Sequence, residues 1–281
     1  YTLYINNYAY YEDNFYFINE ATVHCGRNDQ ECTLDLKYGQ KIPVEKYAMT
    51  LGGNAANVAV GLSRLGIKTA LLTTFGNDDR GARIKRVLGE NNVNLEFCAM
   101  DEKRESNSSA VIVFRGERTI LTYHAVGDDS VTAIPESKWV YLTSSAGRDS
   151  TPIFERVLQI KAQLAFNPNM EDIKKNTEVF RKVLEKTEVL LVNKEEYEVI
   201  GTVQVRVLVV TDGKNGAAVT FQGKTIQKPA VGEEAIEPTG AGDAFSSGFL
   251  GALFYGKNIE EALDWGLKNS ENVIRYVGAV E

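Results

Sequence analysis

Three cysteines in 281 residues are too few for a disulfide scaffold. Cys25 and Cys32 can pair with each other or join His24 around a metal, but three ligands at that spacing are a weak metal signal. Ordinary thiols are the expectation. No apolar run approaches the roughly 20 residues of a membrane helix, and the tyrosine-rich N-terminus is too polar for a secretory signal. A basic stripe is also missing. Lys and Arg (31) are scattered among 38 acidic residues, for a net charge of -7. Binding to a nucleic-acid backbone needs clustered cations, so neither nucleic acid nor membrane is expected as a partner. Cytoplasmic residence is the default. Repeats, linkers and low-complexity tracts are absent too, which leaves one domain over residues 1–281. The content, 43% hydrophobic and 25% charged, is that of an ordinary globular chain able to bury a sizeable core.

What is present is an alternation of short apolar runs and amphipathic stretches. Residues 51–65 lead through glycines into a helical pattern closed by Gly66. Residues 69–75 read as a buried strand, 79–89 as a helix and 93–97 as a strand. Further strands are expected at 139–143, 164–167, 188–192 and 207–211, and helices at 151–160, 173–184 and 194–200. This rhythm predicts an α/β fold with a doubly wound, mostly parallel sheet covered on both faces. Long helices are expected at 240–255 and 259–276. Two regions break the rhythm: 8–48, and 108–124 with its turn at Arg115-Gly116-Glu117. They are expected to form a small β-sheet lid that excludes water from a cleft.

Four segments carry candidate chemistry. In Glu237-Pro238-Thr239-Gly240-Ala241-Gly242-Asp243, small residues let backbone N–H groups converge where a helix starts. That suits a transferring phosphoryl group, with Asp243 placed to take a proton from a hydroxyl. The ordinary structural reading is an acidic residue favouring the helix dipole. In Gly52-Gly53-Asn54-Ala55-Ala56-Asn57, paired glycines permit close backbone approach. Asn54 and Asn57, three apart, can share a face and bind hydroxyls, or Asn54 simply caps the helix. In Asn193-Lys194-Glu195-Glu196, polar residues end an apolar strand, where open α/β sheets bind ligands. Asn193 and Glu196 can act on a hydrated magnesium ion, form a capping box, or do both. The segment 210–217, with Thr211, Gly213 and Gly216, can hold a nucleotide or serve as a hairpin turn.

Together these segments resemble the ribokinase-like carbohydrate kinase family, the PfkB family. The resemblance spans nearly the whole chain. It rests on GGNAANVAVGLSRLG at 52–66 and PTGAGDAFSSGF at 238–249, with FNPN at 166–169, NKEE at 193–196 and VVTDGKNGA at 209–217 in the family's order. It implies transfer of the γ-phosphoryl of ATP to a hydroxyl, commonly the hydroxymethyl of a sugar or nucleoside. It also implies a lid drawn from parts of 8–50 and 107–124, often used for dimerisation. By similarity Asp243 is the base and Gly240, Ala241 and Gly242 form the anion hole. Asn193 and Glu196 match the magnesium and phosphate motif. Thr211, Gly213 and Gly216 match the nucleotide loop, and Asn269 follows the adenine pocket. Gly53, Asn54 and Asn57 match acceptor-binding positions.

Glu237 stands where many relatives have aspartate, in the region that helps hold potassium in those that bind it; glutamate keeps the charge and lengthens the arm. Tyr11 is the closest match to the family's acceptor-binding aspartate, and it offers a ring and one hydroxyl instead of a carboxylate. Asn54 stands where ribokinases proper usually carry lysine. A sugar or sugar derivative is therefore the expected acceptor, without ribose being automatic. The aromatic cluster Tyr8, Tyr10, Tyr11, Phe15, Tyr16 and Phe17 motivates a nucleoside instead, although tyrosines readily alternate on a half-buried sheet. Arg115, Arg118 and His124 on the lid can meet a second phosphate, and the altered first strand leaves a non-catalytic nucleotide-binding protein as a further alternative.

Overall fold

The structure is a computed structural model that describes residues 3–6, 12–18, 22–25, 32–115, 117–125, 134–143, 149–231 and 240–273. Along the chain come β1 (Leu3–Asn6), β2 (Glu12–Ile18), a hairpin of β3 (Thr22–Cys25) and β4 (Cys32–Asp35), then β5 (Val44–Leu51). Helix α1 (Asn54–Arg64) starts on Gly53, whose φ of 91° suits glycine, and stops before Gly66 at φ 82°. Then follow β6 (Thr69–Leu72), β7 (Thr74–Gly76), α2 (Asp79–Glu90), β8 (Ala99–Asp101), β9 (Ser108–Phe114) and β10 (Glu117–Tyr123). The next stretch holds β11 (Trp139–Leu142), α3 (Thr151–Gln159), β12 (Gln163–Phe166), α4 (Met170–Lys175) and α5 (Glu178–Lys186). It continues with β13 (Val189–Asn193), α6 (Lys194–Ile200) and β14 (Val207–Thr211). A single 3-10 turn (Gly213–Asn215), β15 (Ala217–Phe221), β16 (Lys224–Lys228), α7 (Ala241–Phe254) and α8 (Ile259–Val273) complete the described chain.

The main sheet has eight strands in the order β16-β15-β14-β13-β12-β11-β1-β6. From β6 to β14 all pairings are parallel, while β15 and β16 add an antiparallel edge. The strands β6 and β11 are buried along their whole length, as expected of strands covered on both faces. Alternate residues feed two cores. Leu71, Tyr141, Leu191 and Val209 pack toward α1, α7 and α8 with Phe245, Phe249 and Leu263. Their neighbours Leu72, Leu142, Phe166 and Leu190 pack toward α3 and α5, where Phe154, Phe166 and Phe180 touch edge to face or tilted.

A separate four-stranded sheet, β10-β9-β2-β5, is the expected lid. The hairpin of β9 and β10 is antiparallel, as the sequence predicts, and so are β2 and β5; the central β2–β9 contact is parallel. Four other expectations need correcting. The run 69–75 is not one strand: after Leu72 the chain leaves the main sheet, and β7 pairs with β8. Residues 93–97 form no strand and keep a single bridge from Asn94 to Ala70. The helix expected over 173–184 is broken at Asn176, which takes a left-handed φ of 42°, after which Thr177 caps α5 by accepting from the Phe180 N–H. Finally, Cys32 is disulfide-bonded and stands opposite Cys25 in the β3–β4 register, while Cys98 is the free cysteine.

Candidate active site

The carboxyl ends of the parallel strands carry a row of polar residues. Asn193 closes β13 and sits in register with Thr211, the last residue of β14. Thr143 and Asn167 follow β11 and β12, with the Asn167 N–H donating to the Leu142 carbonyl at 2.9 Å. Open α/β sheets bind their ligands along this edge.

Helix α7 begins at the same edge. Gly240 is its N-cap at φ 80°, and the first bond inside the helix runs from the Ala244 N–H to the Gly240 carbonyl at 2.8 Å. The N–H groups of the preceding residues therefore have no partner within the helix. Gly242 is exposed, and a Cβ there would meet nothing within 4 Å. Asp243 lies in this first turn. Its Oδ2 accepts a 2.8 Å hydrogen bond from Asn57 Nδ2, a residue 186 positions away on α1. Asn57 is buried, and its Oδ1 makes no hydrogen bond among the described residues. A buried amide with one unanswered oxygen is costly unless something else supplies a donor. Asn54, one turn earlier, is exposed and is the first helical residue, so the cap is Gly53 and not Asn54.

Asn193 and Glu196 form a complete capping box: the Glu196 N–H donates to Asn193 Oδ1 and the Asn193 N–H to Glu196 Oε2, each at 2.8 Å. Burial raises the Glu196 pKa above the ordinary carboxylate value; the hydrogen bond from the Asn193 backbone opposes the shift, and the charge of Glu195 adds to it. Lys194 pairs with Asp212 at 3.1 Å, tying the start of α6 to the turn after β14. That turn is a hairpin: β14 runs antiparallel to β15. Gly213 (φ 48°) faces open space, whereas a Cβ on Gly216 (φ 93°) would strike the backbone at Lys228 and Pro229. Gly216 is thus needed for packing, and only Gly213 is open to a ligand. Asn269 spends its amide on α7, donating to the Ala244 carbonyl at 2.7 Å and to Ser247 Oγ at 2.9 Å.

Beneath these residues lies a polar cluster that the sequence does not single out. Tyr141 is fully buried and its hydroxyl points to Asn167 Oδ1 at 3.4 Å. Asn167 Nδ2 donates to the Leu191 carbonyl at 2.8 Å, and Ser246 Oγ donates to the Gly242 carbonyl at 2.8 Å. Burial raises the Tyr141 pKa, and the charges of Asp243 and Glu196 push it the same way; hydrogen bonds with Ser246 and Thr143 oppose them. One buried hydroxyl thus lies within electrostatic reach of both carboxylates. Asn167 belongs to the FNPN segment and Ser246 to the PTGAGDAFSSGF segment, which are the signals the sequence offered for this cluster. Tyr11 and Glu237 lie outside the described residues, as do Pro238, Thr239 and Gly116. Of the aromatic cluster, Tyr16 packs on Tyr47 of β5, ring centroids 5.4 Å apart.

The sequence matches the family described as pfkB family carbohydrate kinase over residues 14–281. An ATP-dependent 6-phosphofructokinase of Thermoanaerobacterium thermosaccharolyticum is 23% identical over 275 residues, covering 86% of this chain and 84% of its own. A nucleoside kinase of Methanocaldococcus jannaschii is 26% identical over 244 residues, covering 81% and 80%. The crystal structure of Methanocaldococcus jannaschii nucleoside kinase, an archaeal member of the ribokinase family, superposes with a TM-score of 0.78 at 20% identity over 99% of this chain and 93% of its own. Arabidopsis thaliana ribokinase complexed with ribose and ATP superposes with a TM-score of 0.77 at 19% identity, covering 99% and 94%. These superpositions identify the fold as ribokinase-like.

Proposed function

The chain belongs to the pfkB family of carbohydrate kinases and is an ATP-dependent kinase acting on a small sugar-like or nucleoside-like substrate; from that premise we propose that Asp243 is the base that activates the acceptor hydroxyl. The observation that carries this reading is the 2.8 Å bond from Asn57 to Asp243 at the open start of α7. It joins the two glycine-rich motifs into one site. The amide fixes the carboxylate's orientation, as a base must be fixed to meet a proton in line with the attacking oxygen.

In this mechanism the acceptor hydroxyl loses its proton to Asp243 as its oxygen bonds to the γ-phosphorus and the bond to the β-phosphate oxygen breaks. The N–H groups at Gly240, Ala241 and Gly242 face the charge that develops on the transferring group. The residues present fit magnesium as well: Asn193 and Glu196 offer oxygens suited to a hydrated ion through its waters. Magnesium, when bound, would neutralise phosphate charge. Thr211, Gly213 and Gly216 shape the turn that holds the nucleotide, and Asn269 fixes α8 beside it. Gly53, Asn54, Asn57 and Tyr11 bind the acceptor, and the lid strands β2, β5, β9 and β10 cover it within a single kinase domain.

The favoured acceptor is the hydroxymethyl of a sugar or sugar derivative. A nucleoside is the second reading, supported by the Methanocaldococcus jannaschii relative. Potassium is proposed to act through the Glu237 region, and a homodimer to form through the lid edges, where Leu121 and Tyr123 are exposed. The test is ADP release with magnesium-ATP across sugars, sugar phosphates and nucleosides, with and without potassium. Release with one acceptor, lost in Asp243→Asn, is the expected result. Undiminished release by the variant overturns the assignment of the base, and release by no acceptor overturns the acceptor classes.

A further inference from the structure

At the opposite edge of the main sheet, below the amino ends of β11 and β12, lies a cavity of about 660 Å³. It is lined by the segment leading into β11, by the last turn of α3 and by the residues leading into β12. Its size falls within the roughly 300–1,000 Å³ of small-molecule sites. Two polar atoms at this cavity, Arg156 Nη1 and Ser137 Oγ, are buried and make no hydrogen bond with any described residue. Among the described residues Arg156 also has no ion-pair partner. A guanidinium carries five donors in a fixed planar fork. Arg156 as a whole is half-buried, but an N–H of its guanidinium held away from water without an acceptor is unfavourable, and an anion entering the cavity would answer it.

The rest of the lining indicates which anion. Lys161 adds a second cation and Glu136 offsets one of the two, so the cavity suits a singly or doubly charged group and not a polyphosphate. Ile134 and Ile160 supply apolar wall for a carbon skeleton. We propose that this cavity is a second ligand site, taking a small metabolite that bears one phosphate or one carboxylate, held by the fork of Arg156 and the hydroxyl of Ser137. It is separate from the kinase site, which lies at the carboxyl ends of the same strands.

The test is calorimetric titration with glycerol 3-phosphate in one arm and malate in the other, with magnesium and a saturating non-hydrolysable ATP analogue present throughout. Wild type is expected to bind at least one probe. Arg156→Met is expected to bind it tenfold or more weakly, the loss of a charge-assisted pair, and Ser137→Ala to bind it measurably more weakly. The ligand-free Arg156→Met protein should melt at or above the wild-type temperature, because it leaves no buried guanidinium N–H unanswered. Should that variant fail to fold, Ser137→Ala decides alone. Absence of binding of both probes by wild type, or equal binding by wild type and the variants, overturns the proposal; the probe that binds identifies the anion.

Discussion

The helical layer under the site and the lid sheet above it are built to different tolerances. In the layer of α1, α7 and α8, backbones meet so closely that side chains are excluded. A Cβ on Gly61 would collide with Ser247, one on Gly248 with the Trp265 backbone, and one on Gly266 with the Phe245 ring. Along β10, by contrast, every residue is exposed, including Ile120, Leu121 and Tyr123. A hydrogen bond of 2.8 Å between two helices holds Asp243 in place, whereas a cover needs only paired strands. Close packing is therefore concentrated beneath the proposed base.

Substitutions should expose that difference. Asp243→Asn is expected to lower kcat by about 10²–10⁴, the usual worth of a general base, while leaving the melting temperature near wild type; steady-state kinetics beside a thermal melt checks both. Gly248→Val should destabilise the fold by about 1–3 kcal/mol, because the backbone it strikes cannot move aside; chemical denaturation measures it. Glu196→Gln keeps the capping box and removes the charge. Its folded pKa is raised, so its contribution to stability is present at low pH and falls away as pH rises through that pKa. The glutamine variant should lose that part of the pH dependence while needing more magnesium for half-maximal rate, which pH-dependent melts and a magnesium titration read out. Ile120→Ser with Leu121→Ser, on the lid, should change monomer stability by no more than about 0.5 kcal/mol. If the lid edges pair two copies, sedimentation should show this double variant dissociating while its fold persists.

The same contrast explains what could be read from the sequence. The helices and strands around the site were legible because glycine spacing, caps and apolar runs each have one physical meaning. The Asn193–Glu196 capping box is one of the readings that spacing allows. The departure of the chain after Leu72 falls at Thr73 and Thr74, β-branched residues that suit a continuing strand as well as the start of a new one. The break at Asn176 was hidden because its polar neighbours also suit an exposed helix face. Tyr141 looked like any core aromatic, because its hydroxyl partners come from Asn167 and Ser246, remote in sequence. The parallel contact of β2 with β9 depends on which strands a crossover brings together, and no local pattern encodes that.

The link from β13 to β14 is short: α6 and a few residues, 194–206, carry the chain across, and Lys194 is bonded to Asp212 at the far side. That ion pair ties the two turns proposed to grip phosphates to each other at the edge of the sheet. The lid is moored at two points, on α2 and on the Asp78 cap that precedes it. Arg83 donates to the Met49 carbonyl of β5 at 2.8 Å, and Asp78 accepts from the Ser106 hydroxyl at 2.6 Å and N–H at 3.0 Å at the foot of β9. Both moorings fall on one helix and its cap, as two hinges share one post.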